Sequence, residues 1–192
     1  KAAVGDVVGI YGDNFYEGGS AVKVYLDQIT GSSDTPDKET DLTSYIRTKS
    51  DDFIGVEIPS GTPFGLWAII VRTQGGTDSN VGWVNRAKVY GLTDMGGSHS
   101  LANDPDESML LDVNYRLYGL NLDLPDATPD IKLKNVSDGT WVTGNDVVTA
   151  TGDGYTLKFK INSAGFNRGN YEIWVKNGYG GDYGYVQGPT AY

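Results

Sequence analysis

Cysteine is absent from the 192 residues, and histidine occurs once, as His99. Thiol nucleophiles, thiolate metal sites, iron–sulfur clusters and disulfides are therefore excluded. No multi-histidine metal motif can be assembled either. A Ser-His-Asp triad would rest on one histidine in the Gly/Ser stretch 96–100, a poor place for a group that must be held rigidly. Positive charge is also scarce: 15 Lys and Arg stand against 25 Asp and Glu, a net charge of −10. That balance speaks against nucleic acid as a partner, which needs a basic face, and against docking on an anionic membrane. Long apolar runs are missing. The longest covers residues 66–71, far short of the ~20 residues of a membrane span, so membrane insertion is not expected. No window of about a dozen residues holds a 3.6-residue hydrophobic period without a glycine or proline break, so no long helix is expected.

Glycine, by contrast, is abundant: 27 residues, about twice the usual ~7%. The 13 tyrosines and 4 tryptophans lie in short alternating stretches between glycine, asparagine and aspartate clusters. This pattern predicts a turn-rich all-β chain. Hydrophobic residues make up 39%, enough to fill cores, so the chain is not a disordered acidic tail.

The chain repeats itself. VGDVVGIYGDNF at 4–15 returns as VNYRLYGLNL at 113–122, and EIPSGTPFGLW at 57–67 returns as KINSAGFNRGNY at 160–171. VRTQGG at 71–76 returns as VKNGYGG at 175–181, and GWVN at 82–85 returns as GYVQ at 184–187. Gly12 to Gly119, Gly65 to Gly169, Gly75 to Gly180 and Val84 to Val186 give offsets of 107, 104, 105 and 102. Four markers in one order at nearly one offset mean two copies of one domain. A period near ~100 residues suits an immunoglobulin-sized sandwich rather than a solenoid.

Period-two reading places strands in the first copy around Val8 and Ile10, at 22–26, 44–47, 53–58 and 66–73, and a long last one at 81–89. The second copy reads as strands at 115–118, 131–134, 141–142, 147–150, 155–161, 170–176 and 185–187. The expected fold is therefore all-β: two tandem immunoglobulin-like β-sandwich domains, residues 1–90 and 91–192, each folding around its own core. Stretch 91–108 is the least patterned. The recurring glycines Gly12 and Gly119 and the Gly-Gly pairs read as turn positions with positive φ. Asn14 and Asn121 read as side chains bonding local backbone.

These residues resemble the IPT/TIG family of Ig-like domains. The likeness is carried by Gly5-Asp6 through Gly12-Asp13-Asn14-Phe15, then Pro59, Gly65, Trp67, Ile69, Val71 and Gly75-Gly76. In the second copy it is carried by Gly119-Leu120-Asn121-Leu122, then Gly169, Tyr171, Ile173, Val175 and Gly180-Gly181. Two departures stand out: the first copy lacks the family's leading strand, and Asn162 stands where the first copy has Pro59. The resemblance implies a non-catalytic module, since such copies are often appended to secreted bacterial polysaccharide-degrading enzymes. The stretch 169–189 looks like domains that precede β-helix hydrolases and lyases. Absence of disulfides in a secreted domain agrees with a bacterial source.

Candidate chemistry is sparse. Asp34, Asp37, Glu39 and Asp41 form one acidic loop, and Asp104, Asp106 and Glu107 another. Both read as solvated, solubilising loops. Such loops can supply the oxygens Ca²⁺ requires, though without EF-hand spacing. The sequence points to no other cofactor and leaves metal ligands unknown. Asn135-Val136-Ser137 matches a glycosylation sequon.

The aromatics say more. If Tyr171, Ile173 and Val175 face a core, then Glu172, Trp174 and Lys176 face outward. With Val186 inward on the next strand, Tyr183, Tyr185 and Gln187 share the outward face, and a hairpin sets Trp174 beside Tyr185. The matching pair in the first copy is Ile70 with Trp83, while Trp67 is core by parity. Three readings of the outward set stay open: packing against a neighbouring domain, a sugar-stacking platform, or plain surface.

The expectation is thus a non-catalytic accessory module, carbohydrate-binding or spacer, of an extracellular or cell-surface bacterial protein. Its ligand residues are Trp174, Tyr185, Tyr183, Glu172, Lys176, Gln187 and Trp83, and it has no catalytic residues. Partners would be a polysaccharide or a neighbouring catalytic domain of the same parent chain. A surface adhesin or stalk repeat with a protein partner is the alternative. An enzyme complete in this chain lacks a nucleophile–base set.

Overall fold

The computed structural model describes residues 1–15, 22–30, 38–73, 75–97, 100–101, 108–142, 146–150, 154–161, 167–180 and 184–191. At 38, 108, 146–150 and 184–191 it describes the backbone alone. The described residues form sixteen strands and one short 3₁₀ turn, in two compact units, Lys1–Asn85 and Arg86–Tyr192. Each unit is an immunoglobulin-like β-sandwich.

The first unit contains β1 (Val7–Tyr11), β2 (Lys23–Ile29), β3 (Lys38–Asp41), β4 (Ile46–Lys49), β5 (Phe53–Glu57), β6 (Leu66–Arg72) and β7 (Gly82–Val84). One antiparallel sheet runs β1-β5-β4 and the other β3-β2-β6-β7. Val24, Leu26, Trp67, Ile69 and Val71 from the larger sheet meet Ile54 and Val56 from the smaller one in a single core. Burying one such side chain is worth about 1.5–3 kcal/mol.

The second unit contains β8 (Lys88–Asp94), β9 (Ser108–Met109), β10 (Asn114–Leu120), β11 (Asp130–Asn135), β12 (Trp141–Val142), β13 (Asp146–Ala150), β14 (Thr156–Lys160), β15 (Gly169–Lys176) and β16 (Gly184–Ala191). Its sheets run β13-β14-β10-β8 and β12-β11-β15-β16-β9, with β9 parallel to β16 and the other pairs antiparallel. Leu117, Leu157 and Phe159 from one sheet pack with Ile131, Leu133, Ile173 and Val175 from the other. The repeat seen in the sequence is a repeat of pairing. β1 with β5 recurs as β10 with β14, and β2-β6-β7 recurs as β11-β15-β16.

Five local expectations are corrected. The 81–89 stretch is not one strand. Asn85 adopts φ 64°, which turns the chain out of β7. Its buried amide accepts from Ala2 N (2.7 Å) and donates to the carbonyls of Ala2 and Gly65 (both 2.9 Å). Residues 88–94 then pair with β10, so the units divide at 85/86 instead of 90/91. The expected strand at 44–47 begins as a 3₁₀ turn, Thr43–Tyr45, before β4. Left-handed backbone falls on Asn14 (φ 62°) and Asn121 (φ 54°), not on Gly12 or Gly119. Asn121 Nδ2 also reaches across the unit to the Arg86 carbonyl, 3.1 Å, rather than bonding locally.

One buried carboxyl belongs to β2. Asp27 is 4% exposed, and Oδ1 meets no hydrogen-bond donor among the described residues. Burial holds its carboxyl above the ordinary carboxylate value; Glu39 and Asp78 add to the rise, and Arg72 opposes it. Ionised Asp27 therefore weakens the fold, and its stability contribution is lost as pH rises through the folded pKa. Asp27→Asn is expected to raise the melting temperature at pH 7. The gap between variant and parent should narrow as pH falls from 7 toward the unfolded value of about 3.9, below which both states hold the proton. Thermal melts across pH 4–7 check this, and a gap independent of pH would contradict it.

Candidate functional site

The outer face of β12-β11-β15-β16 is built by strict alternation. On β15, Tyr171, Ile173 and Val175 are buried in the core, and Glu172, Trp174 and Lys176 lie half-buried on the opposite face. On β11, Ile131 and Leu133 are buried while Lys132 and Lys134 face the other way. Backbone register then sets the rows. Lys134 stands opposite both Trp141 and Glu172, and Lys132 opposite Trp174. Tyr185 stands opposite Trp174, the pairing expected from the sequence, and Gln187 stands opposite Glu172.

The neighbour that Trp174 touches is a different one. Trp141, 46% exposed, sits edge-to-face with Trp174, ring centres 5.7 Å apart and planes at 64°. Lys134 Nζ lies 5.6 Å from the centre of the Trp141 ring and 6.0 Å from that of Trp174. Trp174 Nε1 donates to Glu172 Oε2 at 2.9 Å, which fixes the indole's rotation. Edge-to-face pairs and cation–π contacts each add roughly 0.5–1 kcal/mol at a surface. These contacts hold two large apolar rings in place without burying them.

Trp141 is delivered by the turn joining β11 to β12. Asn135 Oδ1 accepts from Ser137 N, and Asp138 Oδ1 accepts from both Thr140 N and Thr140 Oγ1. Those donors hold the Asp138 carboxyl below its usual range. Gly139 supplies the positive φ of 72° that closes the turn. The sequon asparagine is thus a buried turn element.

Of the expected ligand residues, the structure brings Trp174, Glu172 and Lys176 onto one face, with Tyr185 and Gln187 in register on the adjoining strand. Tyr183 lies outside the described residues, as do His99, Asp34, Asp37, Asp104, Asp106 and Glu107. Trp83 belongs to the first unit, where it is half-buried and pairs with Ala68 rather than Ile70. Sequence reasoning missed Trp141, Lys132 and Lys134. The usable signal was the alternation Ile131, Leu133 against Lys132, Lys134, together with a turn that folds Trp141 back onto Lys134.

Among the acidic-loop residues described, Glu39 pairs with Arg72 at 3.2 Å and Asp41 Oδ1 accepts from Thr43 N at 2.8 Å. Among the described residues no three His, Asp or Glu converge as a metal site. The first unit also has an open recess of about 450 Å³, lined by Gln28, Thr40, Asp41, Tyr45, Pro59 and Trp67 among others. Asp41 is the one carboxylate among its described lining residues.

No protein-family model matches the chain, and no curated protein matches it. Solved structures align along 98% of it at low identity. One is SGBP-B of the Bacteroides ovatus mixed-linkage glucan utilization locus, solved in complex with a mixed-linkage heptasaccharide, at 15% identity and a TM-score of 0.31. Extracellular domains 3–5 of Drosophila OTK match at 14% and 0.26, and a titin tandem of immunoglobulin domains at 9% and 0.27. The chain spans 43% of the first, 60% of the second and 90% of the third.

Proposed function

We propose that the chain is a non-catalytic glycan-binding module of an extracellular bacterial polysaccharide-active protein, and that the outer face of β12-β11-β15-β16 is its platform. The observation that supports this is the Trp141–Trp174 pair, kept at the surface and fixed by Lys134 and Glu172. The two indoles, with ring centres 5.7 Å apart and planes at 64°, form one apolar patch against which a sugar ring can pack. Glu172 and the lysines supply hydroxyl-directed hydrogen-bonding groups around them. Aromatic rings held in advance also lose little conformational freedom on binding.

Affinity electrophoresis through gels containing a panel of soluble polysaccharides tests the reading. The parent chain should be retarded by at least one of them. Trp141→Ala and Trp174→Ala should each weaken that interaction about thirtyfold, the on the order of 2 kcal/mol typical of a central binding aromatic. Both variants should stay folded and lose no more than about 10 °C in melting temperature, the cost of the surface ring contacts, because neither ring is in the core. Full binding by both variants would remove this face as the site. No retardation of the parent chain by any polysaccharide would overturn the reading.

A further inference from the structure

We propose that the ligand of this platform is an acidic polysaccharide, a chain of uronate sugars, read jointly by the two indoles and by Lys134 with Lys132 and Lys176. This inference rests on the platform reading above and names its substrate class.

The argument starts from where positive charge is placed in a chain of net charge −10. Lysines are scarce, yet Lys132, Lys134 and Lys176 share one sheet face with the exposed tryptophans. The acids on this face are turned to other work. Glu172 Oε2 accepts the Trp174 N–H, and Asp130 lies 4.0 Å from Lys132 Nζ and opposite Lys176 in register. Lys134 is the decisive group. Its ammonium sits between two indoles, and among the described residues no carboxylate lies within ion-pair distance of it. Glu172 stands opposite Lys134 in register, but its Oε2 is taken by the Trp174 N–H, which leaves the Lys134 ammonium open to a carboxylate from outside.

The geometry suits a uronate. A pyranose stacked on an indole presents its C–H face to the ring and carries its C5 carboxylate at the rim. Lys134 Nζ lies over both rings, 5.6 and 6.0 Å from their centres, so a sugar stacked on the ring surface that remains open has this ammonium beside it. A neutral sugar would use the indoles and leave this charge unanswered. A polyanion with no apolar face would use the charge and leave the indoles exposed. Only a glycan with both features matches the whole face.

The experiment uses the full chain and three probes: polygalacturonate, its fully methyl-esterified form, and dextran sulfate, each at low and at raised salt. Polygalacturonate is expected to bind, and the ester to bind at least tenfold more weakly. Raising salt from about 20 to 300 mM should weaken polygalacturonate binding severalfold, through screening of the ion pairs. Lys134→Gln, which keeps most of the stem over the indoles, should cost about tenfold toward polygalacturonate and lower the melting temperature by no more than about 10 °C, for the lost cation–π contacts. Lys158→Gln, on the opposite sheet, should cost nothing. Equal binding of acid and ester, insensitive to salt, would overturn the acidic ligand while leaving the platform standing. Binding of dextran sulfate as tight as that of polygalacturonate, with Trp174→Ala without effect, would reduce the face to bare charge and overturn it too. Failure of polygalacturonate to bind while a neutral polysaccharide does would overturn this inference alone. Failure of every glycan would take the platform with it.

Discussion

Gly119→Ala is expected to destabilise the second unit by about 4 kcal/mol or more. Gly119 lies on β10 where the pairing with β8 shifts register, between Tyr118 and Gly119. A Cβ there would fall well inside van der Waals contact with the Lys88 carbonyl oxygen, and 3.0 Å from both the Lys88 carbonyl carbon and Leu122 Cδ2. The main obstacle is backbone, so no rotamer change relieves it. β10 is held on its other side by β14, and Gly119 N itself donates to the Tyr155 carbonyl at 2.9 Å. The relief open to the chain is to push β8 away, which breaks ladder bonds worth about 1 kcal/mol each and adds to an overpacking cost of roughly 1–3 kcal/mol. The melting temperature of the second unit should fall by about 15 °C or more. Calorimetry on the whole chain reads this as movement of one transition. Gly91→Ala is the control, because a Cβ there meets nothing within 4 Å. Equal behaviour of the two variants would mean that the close approach at Lys88 does not exist.

In the first unit the largest effect belongs to Trp67. It is fully buried, lies edge-on to Phe64 with ring centres 6.2 Å apart, and joins both sheets in one core. Trp67→Ala combines lost transfer energy with a cavity and should cost about 3–5 kcal/mol. Trp67→Phe should cost much less than its lost area suggests. Trp67 Nε1 is buried and meets no acceptor among the described residues, and leaving such a donor unsatisfied costs about 1–3 kcal/mol. Phenylalanine removes that donor while keeping most of the ring. Denaturant titrations of the three proteins separate the terms. A Trp67→Phe loss as large as that of Trp67→Ala would mean that the indole's shape, not its burial, decides stability.

Much of this architecture is legible in the sequence because the two copies encode it twice. The alternation on β15 places Trp174 outward and Tyr171 inward, and the hairpin rule places Tyr185 opposite it, as the register has it. What escapes is whatever depends on a contact between distant residues. Asn85 looks like one more position in an alternating run until its amide is seen to hold Ala2 and Gly65. Gly119 reads as a turn glycine, yet its requirement is the approach of Lys88 from another strand. Trp141 sits on a two-residue strand, too short for a period to register, so its partnership with Trp174 needs the β11–β12 turn to be drawn first. The domain boundary moved for the same reason: pairing with β10, rather than pattern, assigns residues 88–94.

The Asn85 amide has a mechanical consequence. It ties residue 2 to residue 85 through two hydrogen bonds, so the first unit takes in and gives out the chain at nearly one point. Tension applied across that unit would fall first on this clasp and only later on the strand ladders. The same closure makes the unit a loop that can be cut out, duplicated or circularly permuted with a linker of a few residues, leaving the path of the flanking chain almost unaltered.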